Sequence, residues 1–213
     1  TEWRQRMRWT VGLTVRPGRS YVEARVRMTN RTPLAHSMLY FSNPAVHTNE
    51  SYQVVFPPDV DWATFHAKTD FAPWPLARGP FVGRDFPPGT DLGWWKNHPY
   101  PISFFVYRSG QDFLGGYDHG RRAGVVHVAD RDTMPGKKFW TWGNGPDGRT
   151  WDRIVTDEDD RHVRDPVVHH GGIARCQRAR EPRPRAVGHS QLGLGVSGPP
   201  HHREPGARRR AQG

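Results

Sequence analysis

Residues 20–28 read SYVEARVRM. Val22, Ala24, Val26 and Met28 fall on one side of an extended chain, and Tyr21, Glu23, Arg25 and Arg27 on the other. A period of two with one apolar side marks a half-buried β-strand. Thr29-Asn30-Arg31-Thr32-Pro33 ends the run with turn residues, and Pro33 lacks a ladder donor.

The same pattern repeats outward from this stretch. Short runs at Met38–Phe41, Tyr52–Phe56, Ile102–Tyr107, Gly124–Val128 and Lys138–Trp142 are each bounded by Gly, Pro, Asn or Asp. No segment shows a 3.6-residue apolar stripe with a cap at both ends. Many short strands punctuated by turns predict an all-β fold, an antiparallel β-sandwich or barrel. Residues 57–101 carry PPDVDW, DFAPWP, FPPGTD and WWKNHPYP, too rich in proline for central strands. Long loops on a rigid sheet are where binding groups collect.

The 213 residues hold nine Trp, ten Phe and six Tyr, and none of these aromatics lies beyond Trp151. Charge shifts at nearly the same place. Beyond Asp159 there are eleven Arg, no Lys and four acids, a net of +7 out of the chain's +10, which leaves +3 for residues 1–159. The basic character therefore belongs to the tail, and a nucleic-acid-binding domain is not indicated. The expected division is a sandwich over 1–159 and a disordered Arg/Pro/Gly/His-rich tail over 160–213. An out-of-frame translation of GC-rich DNA would yield much the same mixture.

Cys176 is the single cysteine, so no intramolecular disulfide forms. No apolar run is long enough for a membrane span, and Thr1-Glu2-Trp3-Arg4 has no signal-peptide features. There is also no initiator Met, so a preceding portion is expected. The compartment stays open, with the cytoplasm favoured. His169-His170 and His201-His202 are adjacent pairs without metal-ligand spacing, and no phosphate-binding loop or Gly-x-Ser-x-Gly elbow occurs. Neither a metal nor a cofactor is expected. Arg208-Arg209-Arg210 gives only a weak claim on nucleic acid.

Trp94-Trp95-Lys96-Asn97-His98 is the densest group of chemically useful residues. An aromatic face stacks on the C–H face of a pyranose, while a cation, an amide and an imidazole hydrogen-bond its hydroxyls. The competing reading makes one indole a core plug and the rest loop surface. Tyr117-Asp118-His119 follows a Gly115-Gly116 turn and adds candidate ligand and acid/base groups, although neighbours on a strand face opposite ways. His47 and His66 lie near strand ends and are further catalytic candidates, each open to a purely structural role. Trp140 and Trp142 share one sheet face, with core the expected destination.

Several of these motifs recur together and in order: NPAVHTNESYQ (43–53), FPPDVDW (56–62), DLGWWKNHPYPISFF (91–105), DFLGGYDHG (112–120), AGVVHVAD (123–130), PGKKFWTWG (135–143) and GRTWDRIVTDED (148–159). They resemble the second half of domain-of-unknown-function family 5107, a bacterial domain often fused to tetratricopeptide repeats, over about residues 3–159. The resemblance implies a galactose-mutarotase-like β-supersandwich, shared with aldose epimerases and glycoside-processing enzymes, and a carbohydrate ligand. Epimerases of that type use a His acid and a Glu base. By position His47 is similar to the His of their Asn-His motif, with different spacing.

Two departures stand out. The family's long N-terminal portion is absent, and after Thr156–Asp159 its Gly-Pro-Tyr and Glu-bearing strand are replaced by Asp160-Arg161-His162-Val163-Arg164. Without that Glu, a general base worth about 10²–10⁴ in rate is missing. The expectation is thus a sugar-binding, mutarotase-like fragment lacking full catalytic machinery, with unpaired sheet edges that favour aggregation. One alternative is an intact carbohydrate-active enzyme using Asp118 or Asp91 as base. Another is a structural or interaction domain beside fused repeats.

Overall fold

The computed structural model describes residues 3–4, 6–155, 167–176 and 186–196. Thirteen strands are described among them. The first seven are β1 (Met7–Val15), β2 (Tyr21–Asn30), β3 (Met38–Ser42), β4 (Ala45–His47), β5 (Tyr52–Val55), β6 (Trp62–Thr64) and β7 (Phe71–Pro73). The others are β8 (Ile102–Val106), β9 (Phe113–Asp118), β10 (Ala123–Ala129), β11 (Gly136–Thr141), β12 (Val167–Cys176) and β13 (Ala186–Val196). A single 3₁₀ turn occupies Trp95–Asn97 and one helix, α1, spans Pro146–Val155.

All described pairings between strands are antiparallel. One sheet runs β1-β2-β13-β10-β9-β5; the other runs β3-β12-β11-β8-β6-β7, with β4 also on β12. The expected antiparallel sandwich is what forms. The SYVEARVRM stretch becomes most of β2, which pairs with β1 from Val22 to Asn30. The other five predicted runs become β3, β5, β8, β10 and β11, within a residue or two at each end.

The core lies between the sheets. The inner sides of β5 and β9 contribute Tyr52, Val54 and Leu114; those of β8 and β11 contribute Ile102, Phe104 and Phe139. Phe104 and Phe139 are fully buried and stack at 5.7 Å and 10°. Phe81, from the proline-rich connection, also stacks on Phe104 at 5.0 Å. Burying a phenylalanine side chain contributes about 1.5–3 kcal/mol, so these rings carry much of the stability. Gly116 is required by this packing, because a Cβ there would fall on the Tyr52 phenol.

Two sequence expectations change. The helix α1 was not anticipated, yet Pro146 opens it and Asp147 sits in its first turn, both favoured there. Trp140 and Trp142 are not core: the buried side of β11 belongs to Lys137, Phe139 and Thr141. Trp142 instead stacks on Trp151 of α1 at 4.9 Å and 10° and meets Trp140 edge-on at 4.4 Å.

Within residues 160–213, two stretches are described, β12 and β13. β12 fills the gap between β11 and β3, and β13 the gap between β10 and β2. Open sheet edges present unpaired N–H and C=O groups, and satisfying them does not require an aromatic-rich strand. The expected boundary at 159, the His201-His202 pair and Arg208–Arg210 lie outside the described residues. Among the described residues no helix is long and apolar enough to cross a membrane.

Candidate functional site

The 94–98 segment divides its side chains between core and surface. The 3₁₀ turn closes with Asn97 N–H on Trp94 O and His98 N–H on Trp95 O, each 3.0 Å. Trp95 turns inward, 5% exposed, and its indole N–H donates to Thr141 Oγ1 at 3.1 Å. His98 is fully buried among Phe86, Phe104 and Phe139, with Nε2 2.8 Å from Leu92 O. Burial pushes its pKa down to about 4, against the smaller opposing effect of the Leu92 carbonyl. His98 is therefore neutral at pH 7, with the Nε2 proton on Leu92 O. Trp95 and His98, expected to meet a ligand, are core residues, because an aromatic pocket between the sheets outcompetes solvent for them.

Trp94, Lys96 and Asn97 stay outside. The Asn97 amide is engaged with Asp91 O at 2.8 Å. Trp94 stacks on His119 at 5.0 Å and 27°, Lys96 Nζ sits 4.9 Å from the indole, and Tyr117 meets His119 edge-on at 5.0 Å. His119 Nε2 also contacts Gln53 Oε1 at 3.0 Å. These groups share the outer side of the first sheet, since Gln53 lies opposite both Tyr117 and Trp94. The two adjacent indoles thus point apart and form no joint platform.

Asp118 faces inward and is 5% exposed. Its carboxylate accepts from Asn49 Nδ2 at 2.6 Å, Gly120 N–H at 2.9 Å and Arg121 N–H at 3.0 Å. Burial alone would raise its pKa, but these bonds and the nearby Arg121 guanidinium outweigh it and hold the group below the ordinary value. A carboxylate so committed anchors the 118–121 turn and is poorly placed to act as a base.

The outer side of the second sheet gathers a different set. Lys138 lies opposite Phe105, and Trp140 opposite Ser103. Through β12 the same side continues to Phe41 and, along β4, to His47: position 173 pairs with both Gly136 and Phe41, and position 169 with both Trp140 and Ala45. Lys138 Nζ is 5.6 Å from the Phe41 ring centre and 5.9 Å from that of Phe105. His66, in the turn after β6, packs edge-on against Phe105 at 5.2 Å and 70°. Burial lowers the Lys138 pKa.

Of the three candidate catalytic histidines, His47 and His66 therefore share this side, while His119 belongs to the opposite sheet. Phe41, Phe105 and Lys138 were not singled out from the sequence. The alternation in MLYFS and in PGKKFWTWG carried that information, but only register shows that the two runs border the same surface. Among the described residues no three His, Cys, Asp or Glu side chains converge as a metal site would require. An open cleft of about 700 Å³ lies elsewhere, on the outer side of the first sheet, floored by Phe113, Val126 and Val128 and rimmed by Asp112, Asp130 and Arg131. None of the predicted site residues lines it.

The sequence profile of the domain of unknown function DUF5107 matches residues 1–179. The chain belongs to this family. The DUF5107 match runs past Asp159 and takes in all of β12.

A tetratricopeptide-repeat-containing protein from Parabacteroides distasonis superposes with a TM-score of 0.68 at 19% identity, over 96% of this chain and 33% of that one. A candidate mutarotase (YeaD) from Salmonella typhimurium gives 0.58 at 9% identity, over 92% of this chain and 56% of that one. A candidate aldose 1-epimerase from Escherichia coli K12 gives 0.57 at 6% identity, over 90% and 61%. At such identities the likeness is one of fold: this DUF5107 chain has a mutarotase-like sandwich. It spans a third of the length of the Parabacteroides protein and under two thirds of the other two.

Proposed function

We propose that this DUF5107 domain binds a carbohydrate across the outer side of the second sheet, and that binding rather than turnover is its activity. One observation carries the reading: Phe41, Phe105, Lys138, His47 and His66 border a single accessible surface. Phe41 is 52% exposed, so its ring is open to the C–H face of a sugar. The Lys138 ammonium next to Phe41, and the His66 imidazole against Phe105, supply directed donors for hydroxyls, with His47 farther along the same side. Mutarotase-like and aldose-epimerase-like neighbours with the same sandwich support this choice of ligand class.

The reading of binding without turnover is supported by the setting of Asp118, one of the two carboxylates that could serve as base. Asp118 is bound into the first sheet and faces away from His47 and His66, and Asp91, the other candidate, accepts from Gly93 N–H at 2.8 Å. In a longer polypeptide the domain would present sugar beside tetratricopeptide repeats, an arrangement supported by the Parabacteroides neighbour. The Trp94–His119–Tyr117 stack is the rival surface, favoured by its half-buried aromatics beside the exposed Lys96. Against it, His119 and Lys96 already crowd the indole.

Titration of the chain with glucose and galactose, followed by saturation-transfer NMR, tests the reading. Binding should be lost in Phe105→Ala and His66→Ala and kept in Trp94→Ala. Loss in Trp94→Ala alone would move the site to the first sheet; no binding of any monosaccharide or glycan would end the carbohydrate reading. Polarimetry of glucose mutarotation should show no acceleration by the wild-type chain.

A further inference from the structure

Lys137 and Lys138 are sequence neighbours on opposite sides of β11, and burial lowers the pKa of both. Lys137 points between the sheets, is 3% exposed, and lies in the field of Asp112 and Asp59. Lys138 points outward into the half-buried space beside Phe41 and Phe105, and among the described residues neither an ion pair nor a hydrogen bond engages it. Burial is what lowers its pKa, and among the described residues no acid offsets that effect.

Ring faces compensate an ammonium weakly at this range, since the attraction fades by about 6 Å and an aromatic ring offers none of the three N–H groups a strong acceptor. A partly desolvated cation without a counter-charge costs free energy that an anionic ligand would recover. The surface around it is otherwise suited to a sugar ring.

We infer that the ligand of this surface is an acidic sugar, a pyranose bearing a carboxylate or a phosphate ester whose anion pairs with Lys138. The inference rests on the carbohydrate reading above and names its substrate class. The ring stacks on Phe41 or Phe105, and the anionic substituent reaches the ammonium between them. Charge-assisted hydrogen bonds are shorter and stronger than neutral ones, so the anion gives selectivity as well as affinity. Neutral hexoses would use the same stacking surface and leave Lys138 uncompensated.

Isothermal titration of the full chain with methyl β-glucuronide and methyl β-glucoside decides the matter, because the pair differs only in the oxidation state of C6 and neither sugar can open its ring. The glucuronide should bind about tenfold more tightly or better, a difference of about 1.4 kcal/mol. Lys138→Met should bring the two within about twofold, and Lys138→Arg should keep the preference, which also guards against a folding defect in the Met variant. Glucose 6-phosphate in parallel separates the sources of the anion: tighter binding than the glucuronide assigns a phosphate ester, and weaker binding a carboxylate. Equal affinities for glucuronide and glucoside in the wild type, or a preference that survives Lys138→Met, would overturn the acidic-sugar inference and leave the carbohydrate reading standing. No heat with any of the three sugars would remove both.

Discussion

The indole of Trp95 donates to the hydroxyl of Thr141 at 3.1 Å, tying the 94–98 segment to the inner side of β11. The same hydroxyl accepts from Gly143 N–H at 2.9 Å. Both donors are buried, so removing the acceptor strands two of them. Thr141→Val should cost about 2–4 kcal/mol, one to two unsatisfied buried donors, whereas Thr141→Ser should stay near wild type. Urea denaturation of the three proteins measures it.

His98 makes stability depend on pH. Its native pKa of about 4 lies below the unfolded value near 6.5, so the unfolded chain takes up the proton first as pH falls. The His98 contribution is whole above pH 6.5, declines between 6.5 and about 4, and changes no further below that. The loss is on the order of 3 kcal/mol. His127, also buried with a lowered pKa, acts in the same direction. Unfolding free energies at pH 7 and pH 4.5 should differ much less in His98→Leu than in wild type; an unchanged difference would sink this assignment.

Asp118 acts at lower pH. Its folded pKa is depressed, so its stabilisation is present above the unfolded value near 3.9 and is lost as pH falls through the folded one. Asp118→Ala should cost about 2–4 kcal/mol by releasing Asn49 and the backbone of Gly120 and Arg121. Amide exchange at Gly120 and Arg121 should speed up in the variant ahead of the rest of the sheet.

Gly116 leaves no room for a side chain against Tyr52. Gly116→Ala should displace the phenol and destabilise the sandwich by about 1–3 kcal/mol. A shift in the thermal midpoint together with a changed Tyr52 ring resonance would confirm the cause.

β1 exposes an apolar row of Trp9, Val11, Leu13 and Val15, with Leu13 and Val15 at 70% and 71% exposure, on a strand that forms a sheet edge. Such an edge templates pairing with other chains. The chain should aggregate with increasing concentration, and Leu13→Lys should raise the onset severalfold in light scattering without altering the far-UV spectrum.

Period-two patterning placed β2, β3, β5, β8, β10 and β11, because one wet side and one dry side leave a direct record in residue order. The helix α1 left a fainter trace: two of its apolar residues, Trp151 and Ile154, are exposed at 44% and 65% and mark no buried stripe among the described residues. Motif content likewise pointed to DUF5107 before any coordinates, since runs such as PGKKFWTWG are read as words and need no geometry.

Residue order alone established the all-β character, the aromatic core material and the family. It could not say that Trp94 faces out while Trp95 faces in, or that Phe41 and Lys138, nearly a hundred positions apart, border one surface. Those outcomes depend on which strands pair and in what register, and register is a competition among all the chain's apolar surfaces for a single interior.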